Sequence, residues 1–333
     1  MTENEQQLQR LLSGISPLYE APMREAKARQ DALAKPPGSL GLLEDLSVQL
    51  AGITGHIKNE VSHTRIYVLA ADNGVVCEGV SSAPQSVTRA QAINLTRGLT
   101  GASCLAKHFH DGLMVVDMGI ALSYTCPEIL NRSLGKGTAN IAAGPAMTRQ
   151  TAVQGILTGM ELAAQAKRDG IQILGVGEMG IGNTTTSSAV LCALSGEPVE
   201  AVTGRGGGLT GAAFLKKKQV IEQALTINAP DAHDPIDVLH RVGGFDLCAM
   251  TGVFLGAEHA RLPVVVDGFI SVVAALCAAR LCEDAKGYFI GSHVSYERGY
   301  EIAARLLDLK PCLQLGMRLG EGSGCPLAFR VVE

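Results

Sequence analysis

Short apolar runs recur along the chain, and each is closed by glycine within a few residues. The runs are Ile66-Tyr67-Val68-Leu69, Leu113-Met114-Val115-Val116, Ile171-Gln172-Ile173-Leu174, Val264-Val265-Val266 and Tyr288-Phe289-Ile290. They close on Asp72-Asn73-Gly74, Asp117-Met118-Gly119, Gly175-Val176-Gly177, Asp267-Gly268 and Gly291-Ser292-His293. Helical stretches separate them. Strand, glycine turn and helix in repetition predict an α/β fold with a doubly wound, mainly parallel, Rossmann-like sheet. Ligands of such sheets bind beyond the carboxyl ends of the strands, so the five glycine elements are expected along one edge. Residues 4–34 are polar and helical in pattern. Lys35-Pro36-Pro37-Gly38-Ser39 interrupts them, and a new helix is expected from Ser39. Val264 to Cys282 is the most apolar stretch, but Asp267, Gly268 and Arg280 make it strand, turn and buried helix, not a membrane span.

Composition sharpens this picture. The 333 residues suffice for one large α/β domain or a large domain with a small one. Hydrophobic residues make up 47% while aromatics make up 4%, so Ala, Val, Leu and Ile fill the core, as in parallel strands covered by helices. The net charge of −4 and the lack of a basic stripe exclude a nucleic-acid partner. Lys216-Lys217-Lys218 is too short for a polybasic arm and reads as a solvated helix face. Cys77, Cys104, Cys126, Cys192, Cys248, Cys277, Cys282, Cys312 and Cys325 form no Cys-x-x-Cys pair. They fit reduced, mostly buried thiols of a cytoplasmic protein. The acidic N-terminus lacks the apolar core of a signal peptide.

Three segments carry candidate chemistry. Arg318-Leu319-Gly320-Glu321-Gly322-Ser323-Gly324 frames one carboxylate with three glycines. Glycine lets backbone approach a ligand closely, and a partly dry glutamate moves toward the range of a general base. A solvated surface turn is the alternative reading. Gly175-Val176-Gly177-Glu178-Met179-Gly180 fits the G-x-G-x-x-G dinucleotide pattern. Its supporting acid, Glu197, falls in a turn, and Glu178 would oppose a pyrophosphate, so NAD or FAD is disfavoured. The same loop before Asn183-Thr184-Thr185-Thr186 still offers N–H groups and hydroxyls to one phosphate. A second loop, Gly204-Arg205-Gly206-Gly207-Gly208, adds to the case for a sugar phosphate. His108-Phe109-His110 reads as a helix end and not a metal site, and Cys325 as a packing residue.

These segments, with Lys35-Pro-Pro-Gly-Ser-Leu-Gly, Ala71-Asp72-Asn73-Gly74-Val75, Val87-Thr88-Arg89-Ala90-Gln91 and Gly243-Gly244-Phe245-Asp246, resemble one family over roughly Lys35 to Phe329. It is the nicotinate-nucleotide–dimethylbenzimidazole phosphoribosyltransferases. The resemblance implies transfer of phosphoribose from nicotinate mononucleotide to an aromatic base for the cobamide lower ligand, without metal or cofactor. It implies Glu321 as the general base and Glu178 beside the ribose. Ala83, Gln91, Met179 and Leu319 would hold the acceptor. Gly180, Gly206, Gly207, Gly208, Lys217, Asp267 and Ser295 would hold nicotinate mononucleotide. Residues 1–34 would begin a small helical domain, 35–300 form the large domain, and 301–333 carry the glutamate loop back to the small one. A homodimer is expected, with no membrane partner. A family serine is replaced by Ala83, a leucine by Met179 and a histidine by Asn73, and the chain ends at Glu333 where a further helix is usual. Two other readings stand beside this one: transfer to a phenol within a heterodimer, and a non-catalytic paralogue supporting an active partner.

Overall fold

The computed structural model describes residues 2–333. Seven strands form one sheet: β1 Thr64–Ala71, β2 Gly112–Gly119, β3 Leu130–Asn131, β4 Ile173–Met179, β5 Val264–Val266, β6 Phe289–His293 and β7 Pro311–Leu313. Every pairing is parallel, and the order is β3-β2-β1-β4-β5-β6-β7. All five expected strands are present; β3 and β7, only two and three residues long, extend the two edges. The chain winds outward one way from β1 and the other way from β4. A crevice therefore opens between the carboxyl ends of these two strands.

Alternation along β1 divides the core into two layers. Tyr67, Leu69 and Ala71 join the cluster that includes helices Arg149–Arg168, Phe245–His259 and Phe269–Leu281. Ile66, Val68 and Ala70 face the opposite cluster, which includes helices Leu42–Thr54, Ser86–Thr96 and Cys325–Val332. Period-2 side chains on a sheet covered on both faces require this division. Helices Arg149–Arg168 and Phe245–His259 cross closely because Gly159 and Gly252 carry no Cβ. A methyl on either would strike the other helix's backbone.

The ends of the chain show how local pattern was redirected. Residues 4–34 form two helices, Glu3–Leu12 and Glu20–Asp31. The next helix starts at Leu42 and not at Ser39. Residues 38–41 are held as a turn because Glu44 accepts from Leu40 N and pairs with Lys35 at 2.7 Å. No helix among the described residues is long and apolar enough to cross a membrane.

Candidate active site

Parallel strands all end on one side, and here they end in acids. β1 leads into Asp72 and Asn73, β4 carries Glu178, and β5 leads into Asp267. In β4 the sequence pattern placed the glycines in a turn, but Gly175 and Gly177 lie inside the strand. Their missing side chains make room for the C-terminal segment. A Cβ on Gly175 would meet Cys325, and one on Gly177 would meet the backbone of Gly322. The glutamate loop thus lies directly on β4. Cys325 is fully buried beneath it, as a packing residue.

Glu321 adopts φ +61°, between Gly320 at +77° and Gly322 at +78°. It is a buried side chain, not a surface glutamate. Gln91 Nε2 donates to its Oε1 at 3.2 Å, while its Oε2 has no protein partner. Burial raises its pKa, and the hydrogen bond from Gln91 opposes the rise. Glu321 N donates to Glu178 Oε1 at 3.3 Å, so the two acids are linked through backbone. Asn183 Nδ2 donates to Glu178 Oε2. Burial, then the charge of Asp246, pushes Glu178 up to about 8. Burial likewise raises Asp267 to about 7, against donated hydrogen bonds, and Asp246 to about 6. The site floor is therefore acid-rich and dry, an environment that favours a cationic ligand.

These groups surround a cavity of about 260 Å³. It brings together ten expected residues: Gln91, Glu178, Met179, Gly180, Gly206, Gly207, Asp267, Ser295, Leu319 and Glu321. Three lie outside its lining. Ala83 is half-buried in the segment alongside, where Ser82 Oγ donates to Gly207 O at 3.2 Å. Gly208 is exposed beyond the loop, at φ +109°. Lys217 stands behind the loop, fully buried, and donates to Thr184 Oγ1 at 2.9 Å and Gly204 O at 3.2 Å. Burial lowers its pKa to about 8. The lysine cluster is therefore not one solvated face: Lys216 is exposed, Lys217 is buried, and Lys218 pairs with Glu200 at 2.6 Å. Thr184, read from sequence as a phosphate-side hydroxyl, lines the cavity too, as do Val87, Glu297 and Arg318, which were given no role from sequence. Asn183 had a usable signal, an amide five residues beyond an acid at a helix start. Glu297 had none.

A larger cavity of about 630 Å³ opens at the amino ends of β1, β4 and β5, between Lys58, Lys167, His259 and Arg261. Arg261 donates there to Ile53 O and Gly52 O at the carbonyl end of helix Leu42–Thr54, and Lys167 stands in the last turn of helix Arg149–Arg168, as helix dipoles favour. It contains none of the carboxylates described above. His108 and His110 sit at the end of helix Gly101–Phe109, away from the cavity lining.

A doubly wound sheet with paired acids and a glycine loop at its switch point is built as a ligand-binding cleft. A family model described as "Phosphoribosyltransferase" matches residues 15–333. A Clostridium perfringens nicotinate-nucleotide–dimethylbenzimidazole phosphoribosyltransferase is 50% identical over 98% of this chain and 90% of its own. A Ruminiclostridium cellulolyticum protein of that name is 47% identical over 97% and 92%. The crystal structure of the Thermus thermophilus enzyme so named superposes with TM-score 0.89 at 37% identity, covering 94% and 93%. The chain belongs to the nicotinate-nucleotide–dimethylbenzimidazole phosphoribosyltransferase family.

Proposed function

We propose that the protein transfers phosphoribose from nicotinate mononucleotide to 5,6-dimethylbenzimidazole. The products are nicotinate and an α-ribazole 5′-phosphate for the lower ligand of a cobamide. The observation that carries this reading is the meeting of Glu321 and Glu178 on one dry cavity, with an unpaired Glu321 Oε2. The C1′–N bond to the pyridinium breaks, and its electron pair returns to the ring, which leaves as nicotinate. A ring nitrogen of the base bonds to C1′ from the opposite face, inverting it. The ring N–H proton passes to Glu321. In its ionised form, Glu178 stabilises the oxocarbenium-like charge that develops beside it.

The remaining roles follow position and chemistry. Gln91, Met179 and Leu319 line an acceptor slot with apolar walls and one polar anchor, Ala83 standing nearby. Gly180, Gly206, Gly207 and Ser295 face the nucleotide, with Asp267 below. Gly208 continues the loop, and Lys217 holds it from behind while supplying positive charge toward the phosphate. Thr184, at the start of helix Asn183–Ser195, adds a hydroxyl. A cytoplasmic homodimer is part of this reading and is testable by sedimentation.

Incubation with nicotinate mononucleotide and dimethylbenzimidazole tests it. Equimolar release of nicotinate and ribazole phosphate is expected. No nicotinate release would remove the proposal, and preferential coupling to p-cresol in competition would replace the acceptor.

A further inference from the structure

We propose that Asp267 is a positioning residue for Glu321: its carboxylate clamps the glutamate loop into the turn that aims Glu321 at the acceptor. The role differs from nucleotide binding, and it rests on the reaction proposed above.

The geometry is two-sided. Gly322 N donates to Asp267 Oδ2 at 3.0 Å, and Gly324 N donates to Asp267 Oδ1 at 2.7 Å. Both carboxylate oxygens are thus committed to backbone donors on the far side of Glu321. On the near side, Glu321 N is bound by Glu178. Gly320, Glu321 and Gly322 all have positive φ, a conformation that a glutamate keeps only under outside restraint. Asp267 is suited to supply that restraint. It is fully buried at the end of β5, in the middle of the sheet, and Ser271 Oγ accepts from its own backbone N–H at 3.1 Å. Ser292 Oγ donates to Asp267 O at 2.9 Å, tying it to β6. Gly324 approaches so closely that a Cβ there would strike His293 and Ser292. The clamp is therefore anchored to buried strands of the sheet, as preorganised sites require.

Asparagine at position 267 keeps the shape but turns an NH₂ toward Gly322 N or Gly324 N, donor against donor. The loop loses one attachment, and Glu321 shifts relative to the acceptor. Misplacement by about 1 Å costs on the order of 10²-fold in rate. Asp267→Asn is expected to lower kcat by that order while the KM for nicotinate mononucleotide stays within about twofold, as expected for a group that acts through the loop. In an Asp267→Asn/Glu321→Gln double variant, activity is expected to equal that of Glu321→Gln alone, because Asp267 acts through Glu321. Gly322→Ala disturbs the other end of the same bond and carries the same comparison if Asp267→Asn does not purify folded. Multiplicative losses in the double variant, or a KM that rises with kcat unchanged, would overturn the inference and make Asp267 a nucleotide ligand. Wild-type protein inactive on both substrates would instead remove the reaction itself.

Discussion

Glu321 occupies a backbone region that costs a residue with a side chain about 1–3 kcal/mol. That cost is borne because the loop holds the carboxylate with one oxygen free. Glu321→Gln keeps the shape but cannot accept a proton. Turnover is expected to fall by roughly 10²–10⁴-fold with nicotinate mononucleotide affinity nearly unchanged. Calorimetry and product assay read the two separately, and activity within a fewfold of wild type would refute the base role. Glu178 makes a second claim. With its pKa near 8, the rising limb of kcat/KM should extend to about pH 8, above which Lys217, also lowered to about 8, loses the charge it presents to the phosphate and the profile turns down. The rise is expected because only the ionised carboxyl stabilises a cationic transition state, and it should vanish in Glu178→Gln. A profile unchanged by that variant would count against the role. Glu321 was legible as the lone acid among glycines. Asp267 was legible as a strand-end acid on the ligand edge, but its hold on the glutamate loop was not, because its partners, Gly322 and Gly324, lie more than fifty residues away.

Strand runs were legible because β-branched residues cluster in them, but strand ends were not. Gly175 and Gly177 look like a turn by local propensity and are strand because the 320–325 segment needs their empty space. The edge strands β3 and β7 are too short to leave a pattern. The buried face of helix Gly211–Asn228 was hidden for another reason: three adjacent lysines give no periodicity, so tertiary packing alone decides that Lys217 goes inside. Two outcomes follow at this scale. Gly177→Ala puts a methyl into the Gly322 backbone, and overpacking of this kind costs roughly 1–3 kcal/mol. Its melting temperature and kcat should fall together; a fully active variant would show that the loop is not seated on β4. Gly206→Val meets Thr184 and a φ of +52°. It should raise the KM for nicotinate mononucleotide far more than that for the base, and equal effects would rule out this loop as the phosphate cradle.

The alternating order of strands and helices announced the doubly wound sheet, whereas the switch point between β1 and β4 emerges only from the strand order. Winding in both directions from that point gathers acids distant in sequence into one interior, and this has a consequence for the whole molecule. Burial raises the carboxyls of Asp72, Asp111, Glu178, Asp246, Glu258, Asp267 and Glu321 above their ordinary values. For each, the native state holds a proton that the unfolded chain has released. Stability is then highest below the unfolded values and is lost as pH climbs through the folded ones, about 6 for Asp246, 7 for Asp267 and 8 for Glu178. His293, lowered by burial, acts oppositely below its ordinary 6.5, but it is one group against several. Lys217, lowered to about 8, begins to oppose the loss only above that pH. The melting temperature of the ligand-free protein should therefore decline between about pH 5 and pH 8. Glu178→Gln removes the acid raised to about 8 and should flatten the upper half of that decline while it impairs catalysis. Differential scanning calorimetry across this range checks both claims, and a wild-type melting temperature that rises from pH 5 to pH 8 would show that these acids are already ionised in the folded protein.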